Sequence, residues 1–202
     1  MSTRSNIAFA NPDGTITSVY CHWDGYPTNN GRILLRAYKT ASKVKRLVGL
    51  GALSSLHERL YTRKPHSYDK PQKGVVIAYM RDRGEDSYCA PTSYADEEAW
   101  RLGDLEEWAY LFKDGKWYVI DCHCKREDRK IVPLTKDYIA EWRREENRDA
   151  LVYWNERYHG EIPAQEVDGL RLGKEERKDL VKRGFLVKNE NGTYSVGAAF
   201  CQ

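Results

Sequence analysis

Apolar residues recur in this chain with two periods, and their alternation predicts the elements. Ile7 to Ala10 is a short apolar run, and Thr15 to Cys21 is β-branched and aromatic. Between them lies Asn11-Pro12-Asp13-Gly14, in which proline presets φ and glycine supplies a positive φ, so the three pieces predict a β-hairpin. Trp23 to Pro27 interrupts the pattern as a loop. The apolar set Ile33, Leu34 and Leu35 predicts a helix over Gly31 to Tyr38 capped by Asn29 or Asn30. Val44, Leu47 and Val48 predict a second helix opened by Thr40 or Ser42 and ended at Gly49 or Gly51. Leu53 to Leu60 reads as a further short helical piece, and Tyr61 to Lys73, polar with two prolines, as an exposed loop.

Gly74 to Tyr79 is the apolar run best suited to a buried strand, and Asp96 to Leu102 is a short helix. Trp108 to Phe112 and Trp117 to Ile120, separated by Lys113-Asp114-Gly115-Lys116, predict a second hairpin with an Asp-Gly turn. After Asp121 the character changes. Lys125 to Lys130 is a charged loop, and Thr135 opens a helix over Lys136 to Arg148 whose aromatic continuation runs to Tyr158. Gly160 to Pro163 breaks it. Lys174 to Arg183 is helical, and an Asn191-Gly192 turn joins Phe185–Val187 to Tyr194–Val196 in a last hairpin. The expected fold is α+β: an antiparallel sheet packed against helices over residues 1–124, then a smaller, mostly helical region, 125–202, ending in a β-hairpin.

Composition narrows the function classes. The 202 residues are 41% apolar and 31% charged, with no apolar run near the roughly 20 residues that span a bilayer. The polar start, Met1 to Asn11, lacks the apolar centre of a signal peptide, so a cytoplasmic protein without membrane partners is expected. A net charge of +3 from 33 basic and 30 acidic residues does not favour nucleic acid as a global partner. Aromatics reach 12%, with 14 Tyr and 6 Trp, more than a core requires, and Tyr and Trp are the residues that dominate recognition surfaces.

Four segments carry candidate chemistry. The first is Ser5-Asn6 together with Tyr20-Cys21-His22-Trp23-Asp24-Gly25-Tyr26-Pro27. It places a metal ligand or general base (His22), a carboxylate (Asp24) and the aromatics Trp23 and Tyr26 at a strand end, where loops build sites. The competing reading is a loop held by its own hydrogen bonds. The second is Arg81-Asp82-Arg83-Gly84-Glu85, where two guanidinium forks suit carboxylate or phosphate, and where the alternative is an internal ion-pair cluster. The third is Cys122-His123-Cys124, a poor zinc chelate without a second pair at standard spacing; no metal and no cofactor is predicted. The fourth is the C-terminal helix with Lys174, Lys178, Lys182 and Arg183, which with the following hairpin resembles the end of a winged helix. Glu175, Glu176 and Asp179 interleave with these cations, as on a solvated face. No Gly-rich phosphate loop, Gly-x-Ser-x-Gly elbow or His-Glu-x-x-His pair occurs.

Residues 5–121 resemble a group of uncharacterised accessory proteins of tailed bacteriophages and prophages. The resemblance rests on Ser5-Asn6-Ile7-Ala8, Asp13-Gly14, the Tyr20 to Pro27 string, Gly31 with Leu34-Leu35, Arg81 to Glu85, and the Glu107 to Trp117 hairpin. It implies a phage accessory protein acting inside an infected bacterium and carries no catalytic role. The leading expectation is a binding protein that inhibits or sequesters a host or anti-phage defence component. One alternative is an enzyme acting on a nucleotide or other phosphorylated substrate, with His22 as acid or base, Asp24 orienting it, Arg81 and Arg83 clamping phosphate and Glu85 serving metal or proton transfer. The other is a DNA-binding regulator using the C-terminal cations.

Overall fold

A computed structural model describes residues 2–170 and 174–200, with side chains described over 2–170 and 177–199. The chain divides into two compact units, residues 1–140 and 141–202. No helix among the described residues is long and apolar enough to cross a membrane. The fold is α+β: a large mixed sheet packed with helices, and a C-terminal helical region ending in a β-hairpin.

In the first unit, β1 (Ser5–Ala10) and β2 (Ile16–Cys21) form the expected hairpin. The Asn11 N–H donates to the Thr15 carbonyl at 2.8 Å, and Gly14 turns the chain at φ 89°. The strands β3 (Leu53–Ser55), β4 (Ile77–Ala78), β5 (Thr92–Tyr94), β6 (Trp108–Lys113), β7 (Lys116–Asp121) and β8 (Val132–Pro133) complete an eight-stranded sheet. Its order is β4-β3-β2-β1-β6-β7-β8, with β5 pairing Ile16 to Ser18 of β2. The β6–β7 turn places both Asp114 (φ 51°) and Gly115 (φ 75°) in the left-handed region, the geometry whose twist matches a two-residue hairpin.

Two pairings are parallel, so the sheet is mixed rather than purely antiparallel: β1 with β6, and β2 with β3 at Cys21 and Leu53. β1 and β6 are the innermost pair, each buried over its first five residues. Strands covered on both faces suit parallel pairing, because long crossovers return the chain with helices on the faces. One face carries Ala8, Ile16, Ala109, Leu111 and Ile120 against Trp100, from α3 (Glu97–Arg101). The Trp100 indole N–H donates to Ser18 Oγ at 3.3 Å, so its one polar atom is satisfied in the core. The other face meets α1 (Arg32–Ala37) and α2 (Ala41–Val48), the latter burying Val44, Leu47 and Val48 at helical spacing with Thr40 as N-cap. Trp117 Nε1 donates to the Tyr38 carbonyl at 2.7 Å and ties β7 to the end of α1.

Three local expectations differ from the fold. Residues 53–60 hold strand β3 rather than a helix, because the His22 and Trp23 N–H groups take the Leu53 and Ser54 carbonyls, both at 3.0 Å. The helix at Arg32 has no asparagine cap: a wide turn over Pro27–Gly31 runs directly into it, and the Asn30 side chain points into the core. Only Ile77–Ala78 of the apolar run joins the sheet, while Val76 N–H bonds to the Arg59 carbonyl at 2.9 Å.

The loop 61–73 is pinned from within. The Asp82 carboxylate, its side chain 3% exposed, accepts from Ala78 N–H (2.8 Å) and from both Nε and a terminal nitrogen of Arg81 (2.7 Å each). Arg81 also donates to the Leu60 carbonyl at 2.7 Å and to the Val76 carbonyl. His66 Nδ1 accepts from Gln72 N–H at 3.0 Å, which leaves Nε2 as the donor to the Val76 carbonyl, 3.2 Å away and 3.4 Å from Asp82. Burial pushes the Asp82 carboxyl up, but the Arg81 guanidinium and the Ala78 N–H outweigh it and hold it below its ordinary range.

The second unit takes in most of the helix α4 (Lys136–Arg157), then α5 (Ala164–Gly169), α6 (Lys174–Lys182) and the hairpin β9 (Leu186–Lys188) and β10 (Tyr194–Val196). Its core is Leu151, Ile162, Val167, Leu170, Leu186 and Tyr194. Ile162 and Tyr194 exchange backbone hydrogen bonds of 2.7 and 2.8 Å, and Asn155 Oδ1 accepts from Val196 N–H at 2.9 Å, which docks the hairpin.

Replacing Asp82 with Ala leaves the Arg81 guanidinium without its carboxylate and is expected to cost about 3 kcal/mol in urea unfolding at neutral pH. A carboxyl held low when folded contributes fully above its unfolded pKa of roughly 4, and that contribution is lost as pH falls through the lower folded value. The stability gap between the wild type and the Asp82→Asn variant should therefore narrow on acidification below that range.

Candidate functional site

The candidate site grows from the end of β2. Tyr20 and His22 lie two residues apart on one strand face, and the Tyr20 hydroxyl is 2.6 Å from His22 Nδ1. Burial, and then the Glu106 carboxylate, push the Tyr20 phenol up to about 12. It therefore keeps its proton at neutral pH, and the hydroxyl and Nδ1 share one hydrogen bond. The Trp23 indole meets the His22 ring edge-on at 4.7 Å and is 45% exposed.

The chain then reverses. Asp24 takes a left-handed φ of 56°, a conformation that Asp tolerates better than most residues. Gly25 donates its N–H to the Thr3 carbonyl at 2.7 Å, and its own carbonyl accepts the Tyr110 hydroxyl at 2.7 Å. A Cβ on Gly25 would lie 2.5 Å from the Arg4 carbonyl oxygen, so only glycine fits. The buried Asn30 amide donates to Ser5 Oγ (3.1 Å), the Trp23 carbonyl (3.4 Å) and Cys21 Sγ (3.5 Å). Burial pushes the Cys21 thiol up to about 12, which keeps it protonated and unreactive.

The second segment forms a wide turn over Tyr79–Arg83, ended by Gly84 at φ 76°. Adjacent residues diverge there. Arg81 and Asp82 face inward and pin the loop, whereas the Arg83 side chain is 52% exposed and pairs with Glu85 at 3.2 Å. The Arg83 guanidinium lies 4.9 Å from the centre of the Tyr68 ring, which stacks on Tyr79 at 6.0 Å. Tyr88, 75% exposed, donates its hydroxyl to Glu85.

These two segments meet. Tyr20, Tyr79, Tyr88, Arg83 and Glu85 line one open cleft of about 330 Å³, floored by Ala52 and Cys89. Two groups of rings reach the cleft: Trp23, His22 and Tyr20 contact one another in sequence on one side, and Tyr68 stacks on Tyr79 on the other, with Tyr20 and Tyr79 both lining it. Its polar groups are one guanidinium, one carboxylate and three phenols, a set that offers stacking faces, a bidentate donor and acceptors rather than an assembled proton relay.

Several residues singled out from the sequence serve other ends. His22 and Asp24 do not share a bond: His22 pairs with Tyr20, while Asp24 accepts the Tyr26 hydroxyl at 3.3 Å. Asn6 is buried, and its Oδ1 accepts Glu106 N–H at 2.6 Å, which sets the chain before β6. Arg81 and Asp82 satisfy each other and the loop. In the second unit Lys178 and Lys182 are exposed, Arg183 pairs with Asp179 at 3.3 Å and stacks on Phe185, and the Lys174 side chain lies outside the described residues. His123 Nδ1 sits 2.6 Å from Asp121, and among the described residues no three His, Cys, Asp or Glu side chains are grouped to hold a metal. Tyr79, Tyr68 and Tyr88 were not singled out by sequence reasoning. The one signal for them was the surplus of tyrosine.

Comparison with known proteins adds no relative: no family model, curated protein or solved structure matches this chain.

Gly25→Ala forces the Arg4 backbone to move and is expected to cost about 3 kcal/mol, at the upper end for single substitutions. Asn30→Ala strands the groups that its amide satisfies and should cost about 1–3 kcal/mol. Chemical denaturation checks both. With iodoacetamide at neutral pH, the exposed Cys124 should alkylate in the native protein, whereas buried Cys21 should react only on unfolding. Peptide mapping reads the order.

Proposed function

We propose that this protein works by binding: its aromatic surface engages a protein of the bacterial host or of an anti-phage defence system and inhibits or sequesters it. The observation that carries this reading is the gathering of two ring groups, Trp23-His22-Tyr20 and Tyr68-Tyr79, at one cleft that Arg83 lines, with Trp23 and Tyr88 exposed to solvent. Tyr, Trp and Arg are the residues in which binding energy concentrates, because they supply large rigid contact area with polar ends. The constellation sits on strand β2 and a pinned turn, so little order has to be created on association. The resemblance to phage accessory proteins supports the class of partner.

A second reading has one observation in its favour. A cleft of about 330 Å³ with three tyrosines, one arginine and one glutamate suits a small planar or nucleotide-like ligand. An enzyme of the kind outlined from sequence would have to act without the His22–Asp24 pair and with Arg83 as its phosphate contact, because Arg81 is engaged internally.

Affinity capture from bacterial lysate with the wild type, Trp23→Ala and Tyr88→Ala tests the first reading. Both side chains are exposed, so folding should survive, and each truncation should cost about 2 kcal/mol or more, roughly thirtyfold in affinity. A partner retained equally by both variants rejects this surface. Saturable quenching of tryptophan fluorescence by a nucleotide, abolished by Arg83→Ala, would decide for the second reading.

A further inference from the structure

A second surface shares no lining residue with the aromatic cleft. Two adjoining hollows of about 430 and 560 Å³ share Leu35 and Lys39. Together they are lined by Arg32, Arg36, Lys39, Lys116 and Lys136, contributed by α1 and the residues after it, the β6–β7 turn and the start of α4. No carboxylate lines either hollow. Arg32 Nε is bonded to the Thr28 carbonyl at 3.2 Å, and among the described residues none of the five cations is held in an ion pair. In a chain whose net charge is only +3, this is a local concentration of positive charge without an ion-pair partner among the described residues.

The floor between the cations decides what it fits. Its accessible apolar lining is mainly aliphatic: Leu35 and Ile139 are half-buried, Leu134 is buried and Pro133 is exposed. A nucleic-acid strand would need aromatic faces for its bases. Of the three aromatics here, Phe112 and Trp117 are buried, with the Trp117 N–H already given to Tyr38, and Tyr118 is half-buried and packed against the Trp100 core, so none offers a free stacking face. Arg32 and Arg36 stand one helical turn apart, about 6 Å along α1, with Lys39 following. Carboxylates repeated every three or four residues on a helix would meet that spacing, with apolar anchors between them on the floor.

We propose that this groove docks an acidic amphipathic helix of a partner protein, at a site separate from the aromatic cleft. The cations steer and orient the segment, and Leu35, Leu134 and Ile139 receive its apolar side chains.

Fluorescence anisotropy with the full chain tests this, using as probe a labelled helix-forming peptide with leucine at i, i+3 and i+7 flanked by glutamates. Binding at low salt should weaken at least about tenfold, 1.4 kcal/mol, in the Arg36→Glu/Lys39→Glu variant. It should weaken similarly when the peptide leucines become serine, and should be unchanged in Trp23→Ala. Circular dichroism confirms that the charge-reversed chain is folded, and a milder Arg36→Gln/Lys39→Gln variant reads the same loss if it is not. Absence of binding, indifference to charge reversal, or indifference to leucine removal overturns the proposal. So does tighter binding of an oligothymidylate of equal charge, which would make the groove a phosphate-backbone site. The Trp23→Ala arm separates this outcome from failure of the aromatic surface.

Discussion

The close passage of Gly25 beneath Arg4 is the constraint on which the candidate surface depends. With 2.5 Å between a would-be Cβ and the Arg4 carbonyl, the loop after β2 lies against the start of β1 and cannot be displaced by a side chain. The Gly25 backbone is bonded on both sides, to Thr3 ahead of β1 and to Tyr110 of β6. The Asn30 amide closes the same loop onto Ser5 of β1 and Cys21 of β2. Three strands thus fix one turn, and His22 and Trp23 inherit their positions from the register of the sheet. A buried polar group fully satisfied in this way specifies a single arrangement, since any alternative would leave its donors unpaired.

The turn at Tyr79–Arg83 reaches a comparable rigidity by a different route. There the fixing element is an ion pair between neighbours, Arg81 and Asp82, whose remaining bonds run to Leu60, Val76 and Ala78. Such a pair contributes modestly to net stability, because desolvation offsets much of the attraction, yet it admits few geometries. Its consequence is a division of labour within five residues. Arg81 and Asp82 organise the loop, and Arg83 and Glu85 are left to face the cleft. The surface that results is apolar in its faces and polar at its edges, which is the chemistry of recognition. The basic groove beside α1 has the complementary character, with charge at its rim and an aliphatic floor.

The elements that were legible in the sequence are those fixed by neighbours in the chain. Asn11 to Gly14 and Asp114-Gly115 are turns because particular residue types accept positive φ, and the hairpins follow. Thr40 and Asp96 cap α2 and α3 through side-chain oxygens that accept N–H groups three residues on. The α+β class follows from these pieces. Where a helix was expected over residues 53–60, Leu53–Ser55 is a strand, because the Leu53 and Ser54 carbonyls are claimed by His22 and Trp23, about thirty residues earlier. Asn30, placed by its type as a helix cap, is drawn instead into the core.

The amino-acid sequence by itself determined where hairpins turn, where helices α2 and α3 begin, and which two segments concentrate unusual side chains. Only the tertiary structure decided that β1 lies parallel to β6, that Arg81 points in while Arg83 points out, and that Tyr20, Tyr79 and Tyr88 share a cleft. The physical reason is range. A turn or cap is a contest among dihedral angles and hydrogen bonds within four residues, and residue type reports its outcome. The bonds of Tyr110 to Gly25 and Asn6 to Glu106 join positions 85 and 100 apart, and nothing local marks either partner until the sheet brings them together.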